Sequence, residues 1–209
     1  MPTGYVKSLH DVQRDSAPQQ KEIAAVDIDG TAYSFHNALK AYLEEMGHTF
    51  YPENCIDYHF NGDIGCDKQL IYDSFEKKEL YDKLKAYDGA IEAINLLRQH
   101  STVYGYTASV AVPSIFNQRV KLVEDLGMIP KVFVKHKPVI DADALFDDCL
   151  GVHKCWVAAN SKAKLYLIDQ PYNQMTEENK DDPIWQHVIR CNNLLEAVQM
   201  YLKSTEEST

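Results

Sequence analysis

The sequence predicts an α/β protein in which a parallel, Rossmann-like sheet is flanked by helices and a small helical cap is inserted after the first strand. From Gly89 onward, short apolar runs of strand length alternate with segments of helical periodicity, which is the pattern of a parallel sheet with crossover helices. Between the first strand and Gly89, from about Ser34 to Tyr87, the chain contains only predicted helices and an irregular aromatic stretch. We therefore expect a core formed by residues 21–33 and 88–203, a helical cap formed by residues 34–87, and flexible tails at residues 1–20 and 204–209.

The individual elements follow from local patterns. The first strand, Glu22 to Asp29, is an apolar run, and the helix after it, Phe35 to Gly47, has apolar residues at helical spacing. Two short helices are predicted between Asp67 and Tyr87. The later elements are a helix over 90–99, a strand over 102–106, a helix over 114–126, strands over 131–135, 144–146 and 164–168, and a closing helix over 185–202. The stretch from Gly151 to Lys164, which includes Trp156, is interpreted as a surface loop.

The composition argues against several classes of protein. The chain has 209 residues, of which 45% are hydrophobic and 25% are charged, as in ordinary globular domains. No apolar run approaches the roughly 20 residues of a membrane span, and the N-terminus has no secretory signal. The formal net charge of −10 argues against binding of long nucleic acid, but not against binding of a small phosphate ester. Five cysteines without a CxxC pair indicate a reduced, cytoplasmic protein, and the sequence leaves open whether it forms a homodimer.

Polar side chains lie at the predicted carboxyl ends of four strands. In an open parallel sheet these ends meet at one edge, where ligands bind. Each group alone has an ordinary explanation, because threonines cap helices, aspartate pairs form solvated turns and lysines are surface charges. Four such groups at one edge of one sheet favour a ligand site instead. The groups are Asp27 and Asp29, Thr107 and Ser109, Lys135 and Lys137, and Asp147 and Asp148.

Carboxylates, a hydroxyl group and a lysine in one place suit phosphoryl transfer. One carboxylate can attack phosphorus and form an aspartyl-phosphate, while a second protonates the leaving alcohol and later takes a proton from the attacking water. Carboxylate oxygens are also the ligands that Mg²⁺ prefers. The cation would reduce the repulsion between an anionic nucleophile and an anionic ester.

In these motifs the sequence resembles the haloacid dehalogenase superfamily of aspartyl phosphatases. The four similar segments, in order, are Asp27-Ile28-Asp29-Gly30-Thr31, Thr107, Lys137, and Asp147-Asp148. The resemblance implies that Asp27 is the nucleophile and Asp29 the general acid and base. It further implies that Thr107 and Lys137 bind the phosphate.

The same resemblance implies a magnesium site. The Asp27 carboxylate and the Asp29 backbone carbonyl would be ligands. Asp147 and Asp148 would complete the site, with Asp148 as the direct ligand and Asp147 close behind it.

A closer resemblance is to the 5′(3′)-deoxyribonucleotidase family and its bacterial and phage relatives. The ten-residue step from Lys137 to Asp147 is typical of that family and favours Lys137 over Lys135. The later stretches Leu167 to Asn173 and Val188-Ile189-Arg190 are also similar, so the resemblance covers about residues 22–203. Where those relatives follow the threonine with Ser-Pro, this chain has Ala108-Ser109.

The resemblance implies a Mg²⁺-dependent phosphatase that hydrolyses (deoxy)ribonucleoside monophosphates. Four aromatic residues of the cap are candidates for stacking on the base, although each could instead belong to the cap's own core: Phe35, Tyr58, Phe60 and Phe75. Two alternatives stay open. One is a phosphatase for another small ester such as a phosphosugar, and the other is a catalytically silent binding protein that keeps the fold.

Overall fold

A computed structural model describes residues 21–57 and 59–207 of the protein. Its sheet has six parallel strands, which in chain order are β1 (Ile23–Val26), β2 (Thr102–Ser109), β3 (Ile129–Val134), β4 (Ala144–Asp147), β5 (Lys164–Ile168) and β6 (Val188–Cys191). Their order across the sheet is β3-β2-β1-β4-β5-β6. The predicted α/β class with a parallel sheet is therefore confirmed.

Seven α-helices connect and cover the described strands. They are α1 (Phe35–Glu45), α2 (Lys68–Ser74), α3 (Lys78–Tyr81), α4 (Ala90–His100), α5 (Pro113–Asp125), α6 (Leu150–Ala158) and α7 (Leu194–Glu206), with short 3₁₀ turns at Pro52–Asn54, Pro171–Asn173 and Pro183–Gln186. Helices α4, α5 and α7 pack on one face of the sheet, where Ala24 and Val26 point. Helix α6 covers the other face, because alternate strand residues such as Ala25 point there and pack with Trp156.

The order of the strands fixes where a ligand can bind. Strand β1 lies between β2 and β4, with Val26 paired to Gly105 on one side and to Phe146 on the other. The connections run in opposite directions along the sheet from β1 and from β4. The crevice at the carboxyl ends of these two strands is therefore the topological switch point, which is where open α/β sheets bind ligands.

The segment between β1 and α4 is helical and returns to the point where it left the sheet. The Ser34 amide donates to the Lys85 carbonyl at 2.9 Å, and the Tyr87 amide donates to the Ala32 carbonyl at 3.0 Å. Between these two closures, α1 to α3 form an apolar cluster around buried residues such as Leu39, together with residues from α5 and from the turn after β5. The boundaries predicted for a cap at residues 34–87 stay a prediction.

Two predictions about the C-terminal third are wrong. Residues 185–202 do not form one closing helix, because Pro183–Gln186 is a 3₁₀ turn and Val188–Cys191 is the sixth strand. The β-branched pair in that strand and the Asn193 side chain, which caps α7 by accepting from the Glu196 amide, separate the strand from the helix. Helix α7 then continues to Glu206, so residues 204–206 of the predicted tail at residues 204–209 are helical.

The prediction of a surface loop from Gly151 to Lys164 is wrong. The first half of this stretch belongs to α6, and the Trp156 side chain is fully buried against the sheet. The error arose because a nine-residue helix with one large apolar anchor has little periodicity to recognise. The five strands that were predicted lie within a few residues of their observed positions, the main difference being that β2 runs on through Thr107 to Ser109.

Some predictions concern residues that the structure does not describe. The predicted tail at residues 1–20, the last two residues and the candidate stacking residue Tyr58 lie outside the described part of the chain. Within residues 21–57 and 59–207, none of the helices combines the length and the apolar character that crossing a lipid bilayer requires.

Candidate active site

The carboxyl ends of β1 and β4 bring two aspartates to one buried lysine. The Lys137 Nζ atom lies 2.9 Å from Asp27 Oδ2 and 2.5 Å from Asp147 Oδ2. Its side chain is 8% exposed and that of Asp147 is fully buried, so these ion pairs are shielded from solvent. The second oxygen of Asp147, Oδ1, accepts from the Cys149 amide at 2.8 Å. Asp147 therefore holds Lys137 beside Asp27 through Oδ2, while the Cys149 amide fixes its other oxygen.

Asp148 is held from two directions. Its Oδ1 atom accepts from the Thr31 hydroxyl at 3.1 Å, and its Oδ2 atom accepts from the Tyr172 hydroxyl at 2.5 Å. Gly30 makes this approach feasible, since it has a left-handed φ of 79° and a Cβ atom there would lie 2.4 Å from Asp148 Oδ2. The loop after β1 is thus packed directly on the carboxylate that follows β4.

Burial and mutual repulsion raise the pKa values of this acidic cluster. Desolvation raises the pKa of Asp27 to about 6, although the Lys137 ammonium acts in the opposite direction. Desolvation and the neighbouring carboxylates of Asp27 and Asp147 raise the pKa of Asp148 well above its usual range. These groups carry a surplus of buried negative charge that one lysine does not neutralise.

The same cluster fits the magnesium ion that the resemblance implies. Asp27, Asp147 and Asp148 offer carboxylate oxygens that all lie within 4.8 Å of one another. Oxygen donors with a net negative charge are what Mg²⁺ requires. The resemblance implies that Asp27 and Asp148 would bind the ion directly, with Asp147 close behind them.

Asp29 lies beside a buried arginine that the sequence analysis missed. The Arg119 Nη2 atom donates to Asp29 Oδ2 at 2.5 Å and to Thr107 Oγ1 at 3.0 Å. Arg119 is 1% exposed, and its guanidinium also lies 5.7 Å from the centre of the Tyr81 ring. Burial raises the pKa of Asp29, while the arginine opposes that rise. No signal in the sequence marked Arg119, which is one polar residue on an otherwise ordinary amphipathic helix.

The structure separates the two candidate lysines. Lys135 has a left-handed φ of 71°, an unusual conformation for a residue other than glycine, and its side chain is exposed. Its amide donates to the Ser109 carbonyl at 3.0 Å, which ends β3 against β2. The chain then turns, and Lys137 enters the acidic cluster. The preference for Lys137 from its spacing thus agrees with where the two side chains lie.

An aromatic cavity of about 510 Å³ opens beside these groups. Asp29 and Asp148 line it, and so do five aromatic side chains: Phe35, Phe60, Tyr72, Phe75 and Tyr81. The three phenylalanines, which the sequence analysis proposed for base stacking, also contact one another: the Phe35 and Phe75 rings lie 5.4 Å apart and the Phe60 and Phe75 rings 5.9 Å apart. They therefore belong to the cap's core and to the cavity wall at once.

His36 of α1 also lines the cavity. The His36 ring stacks on the Tyr172 ring with 4.7 Å between the centres. Burial lowers the pKa of His36 to about 4, so the imidazole is neutral at physiological pH. Its Nδ1 atom is buried without a hydrogen-bond partner.

The six predicted site residues are thus brought together at one edge of the sheet. Asp27, Lys137, Asp147 and Asp148 form one cluster, and Asp29 and Thr107 are joined beside it through Arg119. Tyr172, which contacts Asp148, was not among the predicted site residues, because residues 167–173 stood out in the sequence only as a stretch similar to the family.

Comparison with known proteins agrees with this architecture. A sequence model of the family described as "5' nucleotidase, deoxy (Pyrimidine), cytosolic type C protein" matches residues 21–199. A comparison with curated proteins gives no match.

Solved structures share the fold at low sequence identity. A predicted phosphatase from Clostridium acetobutylicum has a TM-score of 0.52 and 15% identity, over 88% of this chain and 99% of that one. The HAD-hydrolase YfnB from Bacillus subtilis, bound to magnesium, has a TM-score of 0.51 and 15% identity over 87% and 99%. A haloacid dehalogenase-like hydrolase from Burkholderia xenovorans has a TM-score of 0.50 and 12% identity over 88% and 98%. At these identities the likeness shows the fold alone.

Proposed function

The chain belongs to the family of cytosolic type C 5′ nucleotidases, within the haloacid dehalogenase superfamily of phosphatases, and we propose that it is a Mg²⁺-dependent nucleotidase that hydrolyses (deoxy)ribonucleoside monophosphates. The products are a nucleoside and inorganic phosphate. The family name includes the word cytosolic, and the proposal extends to a cytoplasmic location.

One observation supports a nucleotide over a smaller ester. The aromatic cavity is lined by Asp29 and Asp148 as well as by aromatic rings, so a base stacked in it would share the cavity with two carboxylates of the acidic site. Aromatic side chains stack on any nucleobase, and each stacked base contributes about 1–3 kcal/mol. A phosphosugar has no flat apolar face and would leave this wall unused.

The first step of the proposed reaction uses Asp27 and Asp29. An oxygen of the Asp27 carboxylate attacks phosphorus, and the ester P–O bond breaks. Asp29, whose pKa burial raises, donates its proton to the departing nucleoside oxygen. Lys137, which already contacts Asp27, offsets the negative charge that builds up on the phosphoryl oxygens. A bound Mg²⁺ would supply further charge neutralisation at the phosphoryl group.

The second step returns the enzyme to its starting state. Asp29, now a carboxylate, takes a proton from a water molecule that attacks the phosphorus of the aspartyl-phosphate. The bond between Asp27 and phosphorus breaks, and inorganic phosphate leaves. In this proposal the Thr107 hydroxyl binds a phosphoryl oxygen, and Arg119, which contacts both Thr107 and Asp29, keeps it beside the acid/base.

Phosphate release from a panel of esters tests the proposal. The panel contains 5′ and 3′ deoxyribonucleoside and ribonucleoside monophosphates, glucose 6-phosphate and glycerol phosphate, each measured with Mg²⁺ and again with EDTA. We expect turnover of nucleotides that EDTA abolishes and that Asp27→Asn removes without loss of the folded state. Hydrolysis of the sugar phosphates alone would favour the phosphosugar alternative. Hydrolysis of none of the esters would favour the silent binding protein.

A further inference from the structure

The turn after β5, Gln170 to Asn173, is tied to the acidic cluster by three side chains. Gln170 Nε2 donates to the Gly30 carbonyl at 2.6 Å. Asn173 Nδ2 donates to the backbone carbonyl of Asp148 at 2.8 Å and to that of Ile168 at 2.7 Å. Asn173 is also buried, so these bonds have little competition from water. The turn therefore fixes the backbone of Asp148 itself and that of Gly30, which packs against the Asp148 carboxylate.

Tyr172 is the member of this turn that reaches the carboxylate itself. Its hydroxyl donates to Asp148 Oδ2 at 2.5 Å, and the residue is 7% exposed. The added methyl group that alanine would bring at Gly30 would meet the Tyr172 hydroxyl oxygen at 2.6 Å, so the loop after β1 closes over this hydrogen bond. The bond is enclosed, and its geometry is set by three separate loops.

The ring of Tyr172 has a second set of contacts. It lines the aromatic cavity and stacks on His36 of α1. The orientation of the ring, and with it the direction of the hydroxyl, is thus set from the cavity side as well as from the turn. Rotation of the ring away from Asp148 would break the stack.

We propose that Tyr172 is a positioning residue for the magnesium site, holding the Asp148 carboxylate in the orientation that binds the ion. The proposal rests on the magnesium dependence of the proposed function. Asp148 carries one donor on each oxygen, Thr31 on Oδ1 and Tyr172 on Oδ2, so the plane of the carboxylate is fixed. Groups that orient a metal ligand in this way typically contribute about 10- to 100-fold to metal affinity.

Calorimetric titration of the purified protein with Mg²⁺ alone tests the proposal without substrate. Tyr172→Phe removes only the hydroxyl and should weaken Mg²⁺ binding by about 10-fold or more. Tyr72→Phe is the matched control, since it removes a hydroxyl from the same cavity wall whose contact is a 3.4 Å hydrogen bond to the His59 carbonyl. Thr31→Val, which removes the donor to the other oxygen, should weaken Mg²⁺ binding in the same direction.

The outcomes separate the positioning role from simple structural support and from the enzymatic proposal. Positioning predicts that kcat of Tyr172→Phe returns towards that of the unmodified protein at saturating Mg²⁺, whereas the Mg²⁺ concentration at half-maximal rate rises. A lower melting temperature with unchanged Mg²⁺ affinity in both Tyr172→Phe and Thr31→Val would overturn the proposal, as would absence of Mg²⁺ binding by the unmodified protein. If Mg²⁺ binds as expected and no ester is hydrolysed, the nucleotidase proposal fails while the role of Tyr172 stands.

Discussion

Arg119 joins the candidate acid/base to the candidate phosphate-binding hydroxyl. Its Nη2 atom is 2.5 Å from Asp29 Oδ2 and 3.0 Å from Thr107 Oγ1, so one atom of a buried guanidinium fixes two side chains from neighbouring strands. Asp29 Oδ1 is buried and has no hydrogen-bond partner. Arg119 therefore holds one oxygen of the carboxylate in place and leaves the other available for proton transfer.

Replacing the arginine tests this relationship. Arg119→Met should lower kcat for nucleotide hydrolysis by about 10-fold or more, because Asp29 loses the contact that orients it. KM should change less, since Arg119 does not line the cavity. Steady-state kinetics on Arg119→Met and on Arg119→Lys, which keeps the charge, would be compared with Arg98→Met on the exposed side of α4. An unchanged kcat in a folded Arg119→Met protein would contradict the role.

The two lysines after β3 should differ in their effect on the rate. Lys137→Met should lower kcat on the order of 10²-fold or more, because a positive charge beside the attacking carboxylate is lost in a desolvated site. Lys135→Met is the comparison: Lys135 lines the aromatic cavity, but its exposed side chain lies outside the ion pairs of the cluster, so kcat should fall far less. The result to be measured is kcat at saturating Mg²⁺ for each variant. A larger loss in Lys135→Met would reverse the assignment.

The cavity wall should control affinity for the base and leave the chemical step unchanged. Phe75→Leu keeps an apolar side chain in the cap core but removes a flat ring from the wall, so KM for nucleoside monophosphates should rise about 5-fold or more. Hydrolysis of glycerol phosphate, which has no ring, should be unaffected. Phe116→Leu on α5, which does not line this cavity, is the control. Equal effects on both substrates would argue against base stacking.

The buried carboxylate of Asp27 should make the metal-free protein less stable as pH rises. Its pKa is raised from 3.8 to about 6, so between these values the folded state binds more protons than the unfolded state, and the free energy of unfolding falls with increasing pH. Asp27→Asn removes this titration and should therefore gain stability relative to the unmodified protein across that window, by up to a few kcal/mol.

Urea unfolding in EDTA at a series of pH values measures this difference. Asp125→Asn, which changes an exposed aspartate paired with Lys121, is the control and should show no comparable trend. The gain should shrink when Mg²⁺ is added, because a bound cation stabilises the ionised carboxylates. A difference between the Asp27→Asn and unmodified proteins that is constant with pH would contradict the raised pKa.

The sequence was sufficient to predict where the chemistry-bearing residues lie along the chain. A buried parallel strand is a short apolar run, and its carboxyl end is where the run stops, so Asp27 and Asp147 could be placed at one edge of the sheet from local patterns. The resemblance to the nucleotidase family, through the ten-residue step from Lys137 to Asp147, favoured Lys137 over Lys135. The pattern failed for β6 and α6, since four residues of strand and nine of helix contain too few periods to separate from their surroundings.

Which side chains support these residues depended on the tertiary structure. Arg119 and Asp29 are 90 positions apart in the chain, and Tyr172 and Asp148 are 24 apart. Neither pair has a local signature, because hydrogen bonds between loops of different strands depend on how the strands are ordered and how the helices pack. The sequence by itself determined the fold class and the acidic and basic groups at the sheet edge. The packed structure decided which side chains hold each of these carboxylates, because those partners come from distant parts of the chain.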